Sequence, residues 1–504
     1  MADDLKQTAK ALFESLDGER SSTIDRAVLS SELTVPYVFR EESATDSDDL
    51  SRERVQGFGA KLVNHLVGKF ALSILPPSQP FYRLSPTQEA LDAVTDGDEE
   101  AIIEIEKILA TKEDSILRFI NKSKFRGSLY PAIRTAMITG DALIEKLEVG
   151  YKVFNMRNYV IKRDSSGNIQ DLIIKELIQY DSLPEEIKSS AEDTEDDIEV
   201  YTRVYNDETG KYNQLTEINE EVVSGSEEQY DSLDERFISV RWNKIDGEDY
   251  GRSFVEEHLG TLIELNKHLG IISEAAAISG RIIHTVNPNG MTKYKDFVEA
   301  ENGDTIIGNE QDIGSISSDK RADLQVSYQL VQDFKRELSE AFLMSSASIR
   351  DAERVTAHEV QMVASELEAS FGGIYTAIAE DIQMPVIKNA MSNINLKDSE
   401  DIDVFIVAGV EALGRNVELS KINGLMQELG QLSQLVGAEQ IAMALNTNAL
   451  VSAIIANSGV ASKGFVKSQA TQNQDVADSK KEEIARMGLE SGMSQVGQNM
   501  ANQI

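Results

Sequence analysis

The chain has 504 residues, 41% of them hydrophobic, and 86 acidic against 49 basic side chains give it a formal net charge of −37. That length can fill sizeable cores and suggests between about two and four domains, while the acidic balance argues against tight binding of DNA or RNA over a broad surface, because such binding rests on Lys and Arg neutralising phosphates. Without cysteine there is no disulfide framework, thiolate zinc site or cysteine nucleophile; the acidic start MADDLKQTAKALFESL lacks a secretory pattern and no run approaches the ~18 apolar residues of a membrane span, so a soluble protein in a reducing compartment, with no membrane partner, is expected.

Residues 3 to 32 read as two helices, the first with Leu5, Leu12, Phe13 and Leu16 on one face. Residues 34 to 39 are expected to be an extended connector, since the residue before Pro36 avoids the helical region. A helix follows from about 52 to 75, with Val55, Phe58, Leu62, Leu66 and Phe70 in register and Pro76-Pro77 as its stop. Residues 99 to 138 are again helical. From Asp141 to about 245 the pattern turns strand-like: Tyr159 to Arg163 and Ile169 to Leu177 flank a turn at Ser165-Ser166-Gly167-Asn168, with further strands at Ile198 to Tyr205, Tyr212 to Ile218 and Phe237 to Trp242. The acidic run 191 to 197 lacks the glycine and terminal glutamate of a calcium loop and reads as solvated surface.

Ser253-Phe254-Val255-Glu256 is a capping box that opens a long helix. Val255, Leu259, Leu262 and Leu269 form one apolar stripe and Phe254, Leu265, Ile272 and Ala275 a second, which suggests neighbours on two sides. Glu257, Gly260, Glu264, Lys267 and Glu274 make a row expected to meet water. Gly280 caps the far end. Arg281 to Val286 is β-branched and runs into the turn Asn287-Pro288-Asn289-Gly290; with short strands at Thr305 to Ile307 and Asp323 to Val326 this predicts a small α+β module. The chain returns in a helix carrying Val331, Phe334, Leu338 and Phe342 on one face. Ser345 to Glu353 breaks the periodicity, its serines favouring local hydrogen bonds over helix. A second capping box, Thr356-Ala357-His358-Glu359, opens an amphipathic helix through Val360, Val363, Leu367, Phe371, Ile374, Ile378 and Ile382. Gly372-Gly373 interrupts it and Pro385 should kink or end it. Residues 410 to 457 are helical, and after Gly464 the Gln/Asn/Ser/Gly-rich composition buries too little to order itself alone.

Catalytic signals are absent. There is no phosphate-binding glycine loop, and His358-Glu359-Val360-Gln361-Met362 lacks the second histidine of a zinc-protease helix. The five histidines have no ligand spacing, so no catalytic residue, metal or cofactor is expected.

Certain stretches resemble the portal proteins, or head-to-tail connectors, of short-tailed double-stranded-DNA bacteriophages. They are Asp246-Gly247-Glu248-Asp249-Tyr250-Gly251-Arg252-Ser253, Val286-Asn287-Pro288-Asn289-Gly290, Glu353-Arg354-Val355-Thr356-Ala357 leading into Val363-Ala364-Ser365-Glu366-Leu367-Glu368, Phe371-Gly372-Gly373-Ile374-Tyr375 and Leu413-Gly414-Arg415, with Ile161-Lys162-Arg163-Asp164 and Gly167-Asn168 upstream. The resemblance covers roughly residues 5 to 460. It implies an α+β, predominantly helical fold: N-terminal helices and a mixed wing (1–252), a stem helix (253–280), a clip (281–326), a returning stem helix (327–344), a tunnel loop (345–356), a long wing helix (357–395), a helical crown (396–460) and a flexible tail (461–504). It further implies a dodecameric ring at one capsid vertex, a virion location reached from the host cytoplasm, and as partners the major capsid protein, a scaffolding protein, the terminase packaging motor, a tail adaptor and double-stranded DNA that passes without being gripped. On that basis Glu257, Glu264 and Lys267 are candidates for lining the channel, Ser345, Ser346, Ser348 and Arg350 for a compliant tunnel loop, and Asn287, Pro288, Asn289 and Gly290 for docking at the clip. A non-ring adaptor or scaffold, and a carboxylate-metal hydrolase, stay open as alternatives.

Overall fold

The computed structural model describes residues 7–39, 56–76, 81–87, 99–183, 188, 197–207, 209–279, 283–316, 321–344, 357–394, 396 and 402–406. They belong to two units, Met1–Phe81 with Ile116–Asp398, and Tyr82–Ser115 with Ser399–Ile504. Helices predominate among the described residues, beside four sheets.

In the first unit, helix α1 (Ala9–Glu19) lays Leu12, Phe13 and Leu16 on Val160, Ile173 and Tyr201 of a sheet, as its stripe predicts. Helix α2 (Ser21–Glu32) follows. The connector after it is a turn, not an extended run: Val38 N donates to the Val35 carbonyl at 3.0 Å. Buried Ser31 fixes it, its hydroxyl donating to Val35 O and accepting from Phe39 N, so Pro36 serves as a turn residue. Helix α3 (Phe58–Ile74) buries Leu62, Leu66 and Phe70 completely. Helix α4 (Glu99–Lys122) is divided from α5 (Phe125–Thr139) by Lys124 at φ 63°, and α5 ends at Gly140 at φ 94°. In the second unit, β1 (Tyr82–Pro86) pairs antiparallel with a strand at Ile402–Ile406, and Glu113 accepts from Leu84 N at 2.7 Å.

The expected strand region forms two antiparallel sheets. One has β2 (Asp141–Lys146) between β3 (Tyr151–Phe154) and the later strand Phe237–Arg241. The other runs β4 (Tyr159–Arg163), β5 (Ile169–Ile178), β6 (Ile198–Asn206), β7 (Tyr212–Ile218) and β8 (Glu221–Val222), with β9 (Glu228–Tyr230) also on β7; Phe237–Arg241 is β10. The predicted hairpin 159–177 is present, with one register shift at Lys162/Arg163. The acidic run 191–196 lies outside the described residues.

The two-helix arm is present but differs in detail. Its outgoing helix is broken at His258 into α6 (Phe254–Glu257) and α7 (Leu259–Ser279). The tip holds β11 (Ile283–Val286), α8 (Tyr294–Glu299) and β12 (Ile313–Ile316), with β11 and β12 paired antiparallel. Residues 305–307, expected as a strand, form none, and Asp323–Val326 lies in the returning helix α9 (Arg321–Ala341). Four residues with Leu324 and Val326 alternating with polar ones are too few to separate the two periods, and here the helical one holds. Helix α10 (Ala357–Phe371) breaks at Gly372, φ 52°, as expected, but α11 (Gly373–Asn393) continues past Pro385, whose ring is buried. The cap at Gly280, the stretch 345–356 and the helices expected over 410–457 lie outside the described residues.

Candidate functional site

The arm is locked to the sheets by residues of the stretch 246–253. Gly140 and Gly251 cross so closely that a Cβ on Gly251 would lie 2.3 Å from the Gly140 carbonyl oxygen, and one on Gly140 2.1 Å from that of Gly251. Only glycine permits this approach, and Gly140 also has positive φ. Trp242 N donates to Gly140 O at 2.9 Å across the same crossing. Asp249 Oδ1 accepts from Arg163 N at 2.7 Å and Tyr250 OH accepts from Ile161 N at 2.9 Å, while Arg252 pairs with Glu248 and Glu256. Ser253 Oγ accepts from Glu256 N, but the Glu256 carboxylate goes to Arg252 and Arg26, so half of the expected capping box forms. Beneath lies Asp141, fully buried, its Oδ1 accepting from Tyr159 OH at 2.7 Å and its Oδ2 unpaired. Burial pushes its pKa up, against Arg163, the Tyr159 bond, Arg241 and Arg20.

The root of the arm is aromatic. Phe254 lies 4.8 Å from Phe342 and 5.1 Å from Phe371, and Phe70 lies 4.9 Å from Trp242. Where α9 ends, Leu343 takes φ 52°. Its carbonyl receives Lys69 Nζ at 2.9 Å and lies 3.2 Å from His65 Nε2, two positions one turn apart on α3. Lys69, 1% exposed, also pairs with Glu366 at 2.7 Å. Burial lowers the His65 pKa, which favours the neutral ring donating from Nε2.

Along the arm, Leu262 and Leu265 face Val331 and Leu338, all buried, while Thr261 Oγ1 meets Glu337 at 3.2 Å and the rings of His268 and Phe334 lie 6.0 Å apart. On α7 the buried members of the two predicted stripes, Leu262 and Leu265, thus turn to one partner, the returning helix, while Phe254 packs at the root. Lys267 is exposed and Glu264 half-buried, the two 3.5 Å apart, and Glu264 also faces His268 Nε2 at 3.7 Å. Glu257 is exposed but precedes the break at His258, so helical spacing does not align it with the others. Burial, then Glu256 beside it, raises its pKa.

At the tip, Asn287, Pro288 and Asn289 are exposed, yet the turn is tied inward. Asn287 Oδ1 accepts from Asn289 N, and a Cβ on Gly290 would strike the Asp312 carboxylate at 2.3 Å. Asp312, buried, accepts from Met291 N, Thr292 N and Thr292 Oγ1 at 2.8 to 3.2 Å. Around this knot Met291, Tyr294, Val298 and Ile307 are exposed. Sequence reasoning missed Asp312, Lys69 and the glycine crossing; the glycines at 140 and 251 were visible, but their contact is long-range. Ser345, Ser346, Ser348 and Arg350 lie outside the described residues. Among the described residues no three His, Cys, Asp or Glu side chains are placed to hold a metal.

A family model described as bacteriophage head to tail connecting protein matches residues 6–466. The portal protein of Enterobacteria phage T3 is 31% identical over 95% of this chain and 92% of its own, and that of Escherichia phage T7 29% identical over 98% and 94%. The portal protein of Enterobacteria phage SP6 is 28% identical over 82% of each. Among solved structures, the neck of an empty gene transfer agent particle covers 76% of this chain and 90% of that one at 11% identity, with a TM-score of 0.38.

Proposed function

The chain belongs to the bacteriophage head-to-tail connecting proteins, and on that premise we propose that its copies close into a dodecameric ring at a single capsid vertex, the conduit through which a double-stranded genome enters and leaves. The observation that carries this is likeness to portal proteins over nearly the whole chain. In this reading the sheets of β2 to β10 with α1 to α5 form the wing, α6, α7 and α9 the stem, the module tied by Asp312 the clip, 345–356 the tunnel loop, 357–395 the long wing helix, 396–460 the crown and 461–504 the tail. The returning stem helix is taken from Arg321, where it begins.

The role is structural. The capsid and scaffolding proteins meet the wing and crown, and the packaging motor and then the tail adaptor meet the clip, where Met291, Tyr294, Val298 and Ile307 supply apolar anchors beside the Asn287–Gly290 turn. Glu257 and Glu264 face the channel, with Lys267 beside them; carboxylates turned to a polyanion keep DNA from adhering. The loop with Ser345, Ser346, Ser348 and Arg350 steadies DNA against backsliding.

Native mass spectrometry of the full chain tests the ring, and a monomer as the sole species would refute it. Cysteines placed singly at positions 257 and 264 should react with maleimide in empty rings and be blocked by threaded DNA; equal reaction with and without DNA would remove both residues from the channel.

A further inference from the structure

We infer that a second copy of this chain covers the outer face of α7 with the flank of its own α9. This rests on the ring reading, and it names the surfaces that meet. Three isoleucines of α7 are exposed, Ile263 at 41%, Ile271 at 42% and Ile278 at 49%. At about 100° per residue they share a stripe about 80° wide with Gly260, Lys267 and Glu274. That stripe points away from Leu262 and Leu265, so the chain's own α9 cannot cover it. Single exposed isoleucines need no explanation, but three in line along one helix are the seam of a missing helix. Gly260, where an added Cβ would meet nothing within 4 Å, leaves room for close approach.

Helix α9 carries the counterpart. Val326, 57% exposed, falls in line with the exposed Gln329, Asp333, Arg336 and Glu340 at alternating spacings of three and four. This line turns away from Val331 and Leu338, which pack on α7. Copies related by rotation about an axis along the arm meet at equal heights, and the arm supplies its own scale: His258 lies against Phe342, Thr261 meets Glu337 and His268 lies against Phe334. Continued toward the tip, this scale puts Val326 at the height between Ile271 and Ile278, and Asp333 level with Lys267. Val326 thus lies level with Glu274 and is flanked above and below by Ile271 and Ile278, and the Asp333 carboxylate lies opposite the Lys267 ammonium; these two pairings make the lines complementary. Because the contact joins different surfaces of each copy, it is heterologous and can close a ring. Glu264 remains at the edge of the seam, in water.

The absence of native cysteine makes the test clean. The full chain carrying Ile271→Cys with Val326→Cys, isolated as rings and treated with a short bismaleimide, should give a ladder of covalent multimers on a denaturing gel. Ile271→Cys with Tyr328→Cys, the latter 58% exposed on the other flank of α9, should give none. Intact rings without a ladder from the first pair overturn the seam and leave the ring standing; failure of the native chain to form rings overturns the ring reading and the seam with it. Independently, Ile271→Asp with Ile278→Asp should abolish the ring peak in native mass while helix content by circular dichroism is unchanged. Rings as abundant as those of the native chain would refute the inference.

Discussion

Replacing Gly251 by alanine should destabilise the first unit through one contact whose geometry is fully specified. The new Cβ would sit 2.3 Å from the Gly140 carbonyl oxygen, 3.0 Å from Trp242 N and 3.1 Å from Arg241 Cβ. Two of these neighbours are backbone, so relief requires the two crossing chain segments to part by about 1 Å. Overpacking of this kind costs about 1–3 kcal/mol, and parting them weakens the Trp242 N to Gly140 O bond, worth about 1 kcal/mol net. The expected loss is therefore about 2–4 kcal/mol. Gly140→Ala meets the mirror clash and adds left-handed strain of about 1–2 kcal/mol, whereas Gly150→Ala, at φ 97° with open space around it, carries the strain alone. Gly68→Ala, inside a helix and unobstructed, should stabilise by about 0.5–1 kcal/mol. The only tryptophan, Trp242, lies at the crossing, so its emission during urea titration at fixed protein concentration reports the right unit. The order of midpoints should be Gly68→Ala, native, Gly150→Ala, Gly251→Ala, Gly140→Ala. A Gly251→Ala midpoint equal to the native one, or above that of Gly150→Ala, would refute the reasoning.

Asp312→Asn should remove charge-assisted acceptance from two backbone amides and a hydroxyl, loosening the tip by about 1.5–3 kcal/mol; amide exchange should quicken over 287–316 while the Trp242 midpoint stays put, and unchanged exchange would contradict the role given to Asp312. Lys69→Met should strip the Leu343 carbonyl of one donor and leave Glu366 without its partner, lowering the Trp242 midpoint by the equivalent of about 1–3 kcal/mol; no change would mean that the clamp is idle. Asp141 binds its proton more tightly folded than unfolded because burial raises its pKa, so its contribution is greatest below about pH 4 and declines as pH rises through the raised folded value. Asp141→Asn cannot titrate, and its urea midpoint should gain on the native one with rising pH; parallel curves would refute the assignment.

Much of the fold was legible because periodicity is local. The stripes of α1, α3 and α9, the hairpin 159–177 and the break at Gly372 all follow from residue spacing. The misreadings share a cause in short or ambiguous signals. Asp323–Val326 suits a strand or the first turn of a helix, Ile313–Ile316 is too short and glycine-interrupted to declare itself, and Pro385, expected to kink or end its helix, is buried inside α11, which runs on to Asn393. The turn after α2 was misread because Ser31 dictates it from eight residues before Phe39. The surface serving the proposed seam was hidden differently: Ile263, Ile271 and Ile278 were scattered between charged positions, and only the position of α9 revealed which face stays uncovered. Asp312 and Lys69 act through partners about twenty and several hundred residues away, beyond the reach of any local pattern.

The arm is held very differently at its two ends. Its root is packed by Phe70, Trp242, Phe254, Phe342 and Phe371, whereas its tip rests on a two-strand hairpin and the bonds of one carboxylate. Treated as a cantilever, the arm has a built-in support and a compliant free end. A sideways load at the tip is taken up first by local give around Asp312, whose bonds reopen at small cost. Only the remaining bending moment reaches the root, where it must shear close-packed rings against one another. A load on the tip is therefore absorbed at the tip, while the sheets at the root keep their register.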